Sequence, residues 1–164
     1  VLQVKEVAKP SPKDNEILLH IKATAVNSGD IRLRKADPFA VRLFFGLTKP
    51  RLNVLGSVFS GEVESVGKLV KNFKAGDMVF GHTNMSFGAY SEYISVSETG
   101  TLAFKPANVS HSEAASIPFG AVTALHFIKK SKIKAGQKVL VVGASGAVGS
   151  AAVQLAISVG AEVT

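Results

Sequence analysis

The clearest chemistry in the chain lies in seven residues, Gly143-Ala144-Ser145-Gly146-Ala147-Val148-Gly149, whose glycines recur at intervals of three. They follow the apolar run Val139-Leu140-Val141-Val142 and precede a helix-compatible stretch, the layout of a strand-to-helix turn that receives a pyrophosphate. A side chain at position 146 would hold phosphates off the backbone, and Gly149 is where helix and strand must pack closely. Gly143 lets the strand leave sharply. Beyond Ser145, the amides of Ala147 and Val148 are expected to face the phosphates from the positive end of the helix dipole. Aligning the last two glycines of G-x-G-x-x-G to Gly146 and Gly149 puts Ala144 where the first would fall, so a glycine-rich turn without a ligand is the alternative. No Gly-Lys-Ser/Thr follows, which excludes a Walker-type loop.

Metal and thiol chemistry have little to work with. The chain has no cysteine, which excludes a disulfide framework, a thiolate metal site and a thiol nucleophile. His20, His82, His111 and His126 show no ligand spacing, so no metal site is expected. The formal charge of +7 raises the question of nucleic acid. The lysines are scattered, as at Lys129, Lys130, Lys132, Lys134 and Lys138, which reads as a solvated edge, and no nucleic-acid partner is expected. No apolar run approaches the ~20 residues of a membrane span. Residues 39–47 are apolar but interrupted by Arg42; they could cover a hydrophobic acceptor or form a partner surface. The cysteine-free composition fits a reducing compartment, and a cytoplasmic location is expected.

The elements that must position these residues change character along the chain. Up to about residue 108 short β-type runs alternate with turns: residues 1–7, 16–26, 61–66, 78–80 and 90–96, a compact, mostly antiparallel β barrel or sandwich. From Ser110 the pattern becomes helix and strand in alternation. Ser110 and Glu113 match a capping box. Residues 114–130 are helix-compatible, with Pro118 and Gly120 expected to split them into two shorter helices. Residues 138–142 read as a buried strand, 147–159 as a helix ended by Gly160, and 161–164 as the start of a second strand, a first β-α-β unit. Two parallel strands cannot make a doubly wound domain, and the opening Val1-Leu2-Gln3-Val4 has no initiating methionine. The chain therefore reads as a fragment, with domains at 1–108 and 109–164.

Six ordered blocks carry a family resemblance: Ala25-Val26-Asn27-Ser28-Gly29-Asp30; Leu55-Gly56 through Gly61-Glu62-Val63-Glu64-Ser65-Val66-Gly67; Phe73-Lys74-Ala75-Gly76-Asp77-Met78-Val79-Phe80-Gly81; Gly88-Ala89-Tyr90-Ser91-Glu92-Tyr93; Ala114-Ala115 with Thr123-Ala124-Leu125; and the glycine turn. Across essentially its whole length the chain resembles the medium-chain dehydrogenase/reductase superfamily, in its zinc-free, quinone oxidoreductase-like branch. The resemblance implies a GroES-like β-barrel catalytic domain followed by the first part of a Rossmann domain, with the active site in the cleft between them.

It also implies roles for particular residues. The positions that hold catalytic zinc in zinc-bearing relatives correspond to Asn27, Ser57 and Phe119, an implausible ligand set. Asn27 and Asp30 match an N-x-x-D block near nicotinamide and substrate and are the expected catalytic residues. Asn27 could instead be a turn residue, and Asp30 a cap of a short helix near Ile31. Thr123 resembles a threonine at the nicotinamide end of the cofactor, or is an ordinary helix hydroxyl bonded to its own backbone. The expected cofactor set is Asn27, Thr123, Gly143, Ser145, Gly146, Ala147, Val148 and Gly149. Arg32 stands where relatives often have tyrosine, and Val58 where they commonly have a carboxylate. His82 and Tyr90 lie in a loop that lines the cleft in relatives and are left out of the catalytic assignment.

What the resemblance implies is transfer of hydride from NADPH, with NADH not excluded, to a quinone or α,β-unsaturated carbonyl, in a protein that is a homodimer at full length. The isolated fragment is expected to be weak or inactive. A non-catalytic nucleotide-binding protein on the same fold is the alternative, and a zinc alcohol dehydrogenase the second.

Overall fold

Glu16–Ala23 (β1) alternates Ile17, Leu19 and Ile21 with residues on the opposite face, and a period of two puts these three on one side of a sheet. The same holds for Phe59 and Val63 of Val58–Val66 (β2), Val79 of Met78–His82 (β3), Ile94 and Val96 of Tyr93–Ser97 (β4), and Leu102 of Thr101–Phe104 (β5). The five strands pair antiparallel in the order β4-β1-β2-β3-β5. Leu19 lies opposite Val63 on one side and Ile94 on the other, so a single apolar layer runs across three strands. Gly61, between Ile21 and Val79, packs so closely that a Cβ there would collide with the His20 carbonyl. Ile17, Leu19, Phe59, Val63 and Val79 are essentially fully buried and form the core with Ala89 and Ile94.

The computed structural model describes residues 2–48 and 51–164. These form two compact units, Val1–Ala115 and Ser116–Thr164, and the sheet belongs to the first. Two helices follow β1: α1 (Ser28–Lys35) and α2 (Val41–Phe45). The strand pattern expected for residues 1–7 is not realised. Residues 2–13 form neither helix nor strand, and Leu2, Val4 and Val7 are exposed, because alternation alone makes no strand where no neighbouring strand supplies hydrogen bonds. β5 went unread in the sequence; its four residues are too few to show a period.

α3 (His111–Ser131) is one continuous helix rather than two. Its start is the expected capping box: Ser110 Oγ accepts from the Glu113 amide at 3.2 Å, and the Ser110 amide donates to Glu113 Oε2 at 2.8 Å. Pro118 removes one backbone bond, at a cost of about 3 kcal/mol in a helix interior, without ending the helix. Gly120 is a close-packing residue: a Cβ there would collide with the Ala147 carbonyl oxygen.

In the second unit β6 (Lys138–Val139) and β7 (Glu162–Val163) pair in parallel around α4 (Ala147–Ser158). The ladder continues through Val141 N donating to Thr164 O at 2.8 Å. The run expected as a buried strand over 138–142 is covered on one face only, and there partly. Val139 and Val141 are half-buried, while Leu140 and Val142, on the alternate face, are 73% and 89% exposed. A two-stranded sheet with one intervening helix covers only one of its faces.

Candidate active site and nucleotide turn

Asn27 stands immediately before α1 in extended backbone and caps it: its Oδ1 accepts from the Gly29 amide at 2.8 Å and the Asp30 amide at 3.3 Å. Asp30, at the third helical position, closes the box by accepting from the Asn27 amide through Oδ2 at 3.0 Å. The cap fixes the orientation of the Asn27 carboxamide. With the oxygen facing the helix, Nδ2 faces away and donates to Ser57 Oγ at 3.0 Å. The two readings open for Asn27 are therefore compatible, since one end is the turn residue and the other a directed donor.

Asp30 is 3% exposed, and its carboxylate gathers donors from three segments. Besides the Asn27 amide it accepts from the Gly56 amide at 3.3 Å and the Tyr90 hydroxyl at 2.9 Å. It sits inside α1 and does not cap a helix near Ile31, because Asn27, three residues earlier, already satisfies the first amides. Gly56 has φ +89°, and its Cβ would run into the Tyr90 ring. Burial first, then the Asp30 hydrogen bond, push the Tyr90 hydroxyl well above the ordinary tyrosine range. Asn27, Asp30, Ser57 and Tyr90 thus form one connected cluster. Tyr90 was visible in the sequence only as a loop aromatic; its meeting with Asp30, sixty positions away, depends on how the residues between them fold.

Nearby positions are placed differently. Ser57 and Val58 are buried, and the Ser57 carbonyl accepts from the Thr83 amide at 2.7 Å. Arg32 is exposed on α1. His82 accepts from the Asn84 amide at 2.7 Å through Nδ1, and burial lowers its pKa.

In the second unit Gly143 has φ +78°, a conformation that favours glycine, and its carbonyl accepts from the Gly146 amide at 3.1 Å. Gly146 precedes α4 in extended backbone, and no side chain caps the helix. A Cβ at Gly149 would collide with the Gly143 carbonyl, whereas at Gly146 the nearest atom is that same oxygen at 3.5 Å. The two glycines therefore do different work, Gly149 for packing and Gly146 for open approach. Ser145, Gly146 and Ala147 are exposed, with Val148 half-buried behind them. An uncapped helix start with an exposed, side-chain-free approach suits a phosphate group. Thr123, also in this unit, donates from Oγ1 to the Phe119 carbonyl at 3.0 Å, a helix hydroxyl bonded to its own backbone.

Residues 13–106 match the family model described as Alcohol dehydrogenase GroES-like domain. The 2-methylene-furan-3-one reductase of Solanum lycopersicum is 35% identical over 92% of the chain and 39% of its own length. The chain belongs to the medium-chain dehydrogenase/reductase superfamily. Several of the relatives it matches are quinone oxidoreductases, among them that of Sus scrofa, 36% identical over 96% of this chain and 46% of its own length. The quinone oxidoreductase of Coxiella burnetii superposes with a TM-score of 0.86 at 32% identity, covering 99% of this chain and 51% of that one. The Escherichia coli quinone oxidoreductase complexed with NADPH gives 0.79 at 31% identity, covering 97% and 46%. This superfamily member thus spans about half the length, or less, of the relatives it matches. Its first unit supplies the GroES-like domain, and its sheet is the antiparallel β structure expected from the sequence.

The zinc-ligand positions do not fit zinc. Asn27 presents an amide nitrogen to the hydroxyl of Ser57, a donor aimed at an acceptor and not two lone pairs converging on a cation. Among the described residues no group of three or more His, Cys, Asp or Glu could hold a metal ion. Among them, too, no helix is long and apolar enough to cross a membrane.

Proposed function

We propose that this chain is the front portion of a zinc-independent reductase that binds NADPH, with NADH as the alternative, and reduces a quinone or an α,β-unsaturated carbonyl. The observation that carries the reading is the open, uncapped start of α4 behind Gly146, in a chain whose relatives include reductases of both substrate types, one of them complexed with NADPH. The nicotinamide supplies the hydride when bound.

The chain's own residues position and stabilise. Gly143, Ser145 and Gly146 leave room for the pyrophosphate, and the first-turn amides of Ala147 and Val148 hold it. Gly149 keeps α4 against the turn. Thr123 bonds the nicotinamide end through the lone pairs its hydroxyl retains. Asn27 is the catalytic residue of the first unit: one Nδ2 hydrogen goes to Ser57, and the second is offered to the carboxamide or to oxygen that gains charge. Asp30, assigned with it from the sequence as catalytic, acts here through Asn27 as a positioning residue, because its carboxylate already serves three donors. The domain division at 1–108 and 109–164, a small-molecule substrate, a cytoplasmic location and a homodimeric full-length protein belong to the same proposal, as does weak or absent activity of these 164 residues alone.

The test is NADPH oxidation by the natural protein containing this chain, with 1,2-naphthoquinone, simple benzoquinones and short enones as acceptors. Turnover on at least one is expected. Cofactor binding without turnover on any would favour the second reading, a nucleotide-binding protein without catalysis, which the exposed Arg32 and the buried, uncharged Val58 favour. Stoichiometric zinc by metal analysis would overturn the metal-free assignment.

A further inference from the structure

All four arginines of the chain, Arg32, Arg34, Arg42 and Arg51, fall within one stretch of the first unit. Residues 31–51 hold these four with Lys35 and Lys49 against a single acid, Asp37, and so carry most of the chain's net charge of +7. The same stretch exposes its largest apolar side chains: Phe39 is 70%, Leu43 60%, Phe44 74% and Leu47 61% exposed. Scattered exposed apolar residues need no explanation, but four within nine positions, among cations, do.

The segment is held in this presentation. Phe45, the last residue of α2, packs edge-on against the buried Phe87 ring at 5.9 Å. Its carbonyl accepts from the Arg51 amide at 2.8 Å. One aromatic is thus spent on anchoring, and its neighbours Leu43 and Phe44 are left outside. Arg32, Arg34, Lys35, Arg42 and Arg51 are all exposed, and among the described residues none forms a salt bridge.

We propose that residues 31–48, with Arg51, dock on an anionic lipid surface, with Phe39, Leu43, Phe44 and Leu47 entering the headgroup–acyl boundary and the surrounding guanidinium groups meeting lipid phosphates. Charge complementarity selects the anionic surface, and arginine matches phosphate in a planar, two-donor geometry. The exposed phenylalanines and leucines select lipid over nucleic acid, which offers phosphates but no apolar layer of matching depth. Insertion of separate side chains into an interface needs no groove, and Leu43 and Phe44 stand on the five-residue helix α2 with Phe39 and Leu47 just outside its ends. The attachment is peripheral, consistent with the absence of a helix able to span a bilayer among the described residues.

Co-sedimentation of the natural protein containing this chain with vesicles tests this, using phosphatidylcholine alone and phosphatidylcholine mixed with phosphatidylglycerol. Binding to the mixed vesicles only is expected, weakening as salt is raised. Arg34→Gln and Arg42→Gln should each weaken it roughly fivefold, the equivalent of one cation at an anionic surface. Phe39→Ser with Phe44→Ser should abolish it while far-UV circular dichroism and thermal unfolding stay unchanged, since both rings are already in water. Equal binding to both vesicle types, binding to neither, or undiminished binding by the double serine variant would each overturn the proposal. So would tighter binding to duplex DNA than to the mixed vesicles, or a change in oligomeric state in the double variant, which would make a second copy the occupant.

Discussion

The Tyr90 hydroxyl donates to Asp30 Oδ2 at 2.9 Å, and the same carboxylate oxygen accepts from the Asn27 amide at 3.0 Å. Through this one oxygen the loop before β4 is tied to the residue that starts α1. Removing the hydroxyl leaves a buried carboxylate short of a donor, so Tyr90→Phe should destabilise the first unit by about 1.5–3 kcal/mol, measured by urea unfolding. The alkaline limb carries a separate signature. Because the Tyr90 pKa is raised, the folded state keeps a proton that the unfolded chain releases near pH ~10. Its contribution is full below that pH and is lost above it; in Tyr90→Phe the alkaline decline should be shallower.

Asn27 separates capping from donation. Asn27→Ser keeps a capping oxygen but cannot present an amide to Ser57, and should cost only a few tenths of a kcal/mol, whereas Asn27→Ala should cost about 0.5–2 kcal/mol. If Asn27 is catalytic, both variants of the natural protein lose kcat to a similar extent despite their different stabilities. Loss of activity in proportion to loss of stability would reduce Asn27 to a helix cap.

The two glycines at the start of α4 should respond oppositely to the same methyl group. Gly149→Ala places a Cβ against the Gly143 carbonyl and should lower the melting temperature of the second unit. Gly146→Ala meets nothing closer than 3.5 Å, with φ −78° that alanine adopts easily, and should fold as well as the parent. In the natural protein, fluorescence titration with NADPH should nevertheless show weaker binding by Gly146→Ala. Unaltered affinity would place the phosphates elsewhere.

His111, the first residue of α3, gives the acid limb. Ser60 Oγ, buried, donates to the Val79 carbonyl at 3.2 Å and lies 2.8 Å from His111 Nδ1, an arrangement met by a neutral imidazole protonated at Nδ1. Burial, then Lys105 and Lys22, lower the His111 pKa against the weaker opposing pull of Glu62. The unfolded chain therefore takes up a proton near pH ~6.5 that the folded state refuses, so stability is full above that pH and falls as pH drops towards the folded value. Thermal melts between neutral and mildly acidic pH should show this decline, and His111→Gln should flatten it.

The sequence by itself determined the elements whose cause is local. The capping box at Ser110 and Glu113 is a matter of two side chains three positions apart, and the glycine turn is written in consecutive residues. The antiparallel strands showed as short β-rich runs broken by turn residues, as over 16–26, because strand-forming side chains and chain-reversing residues are each legible locally. The proposal of metal-free chemistry rests on the residue types at 27, 57 and 119, for which the family resemblance supplied the correspondence. Only the tertiary structure decided what depends on distant partners. Residues 1–7 alternate in sequence, yet among the described residues 2–7 form no strand, and Gly120 is required by the Ala147 carbonyl rather than by any turn. Asp30 and Tyr90 each look ordinary alone. Their hydrogen bond exists because the fold brings positions sixty residues apart to 2.9 Å and excludes water from the carboxylate, and burial of that kind has no counterpart in local sequence.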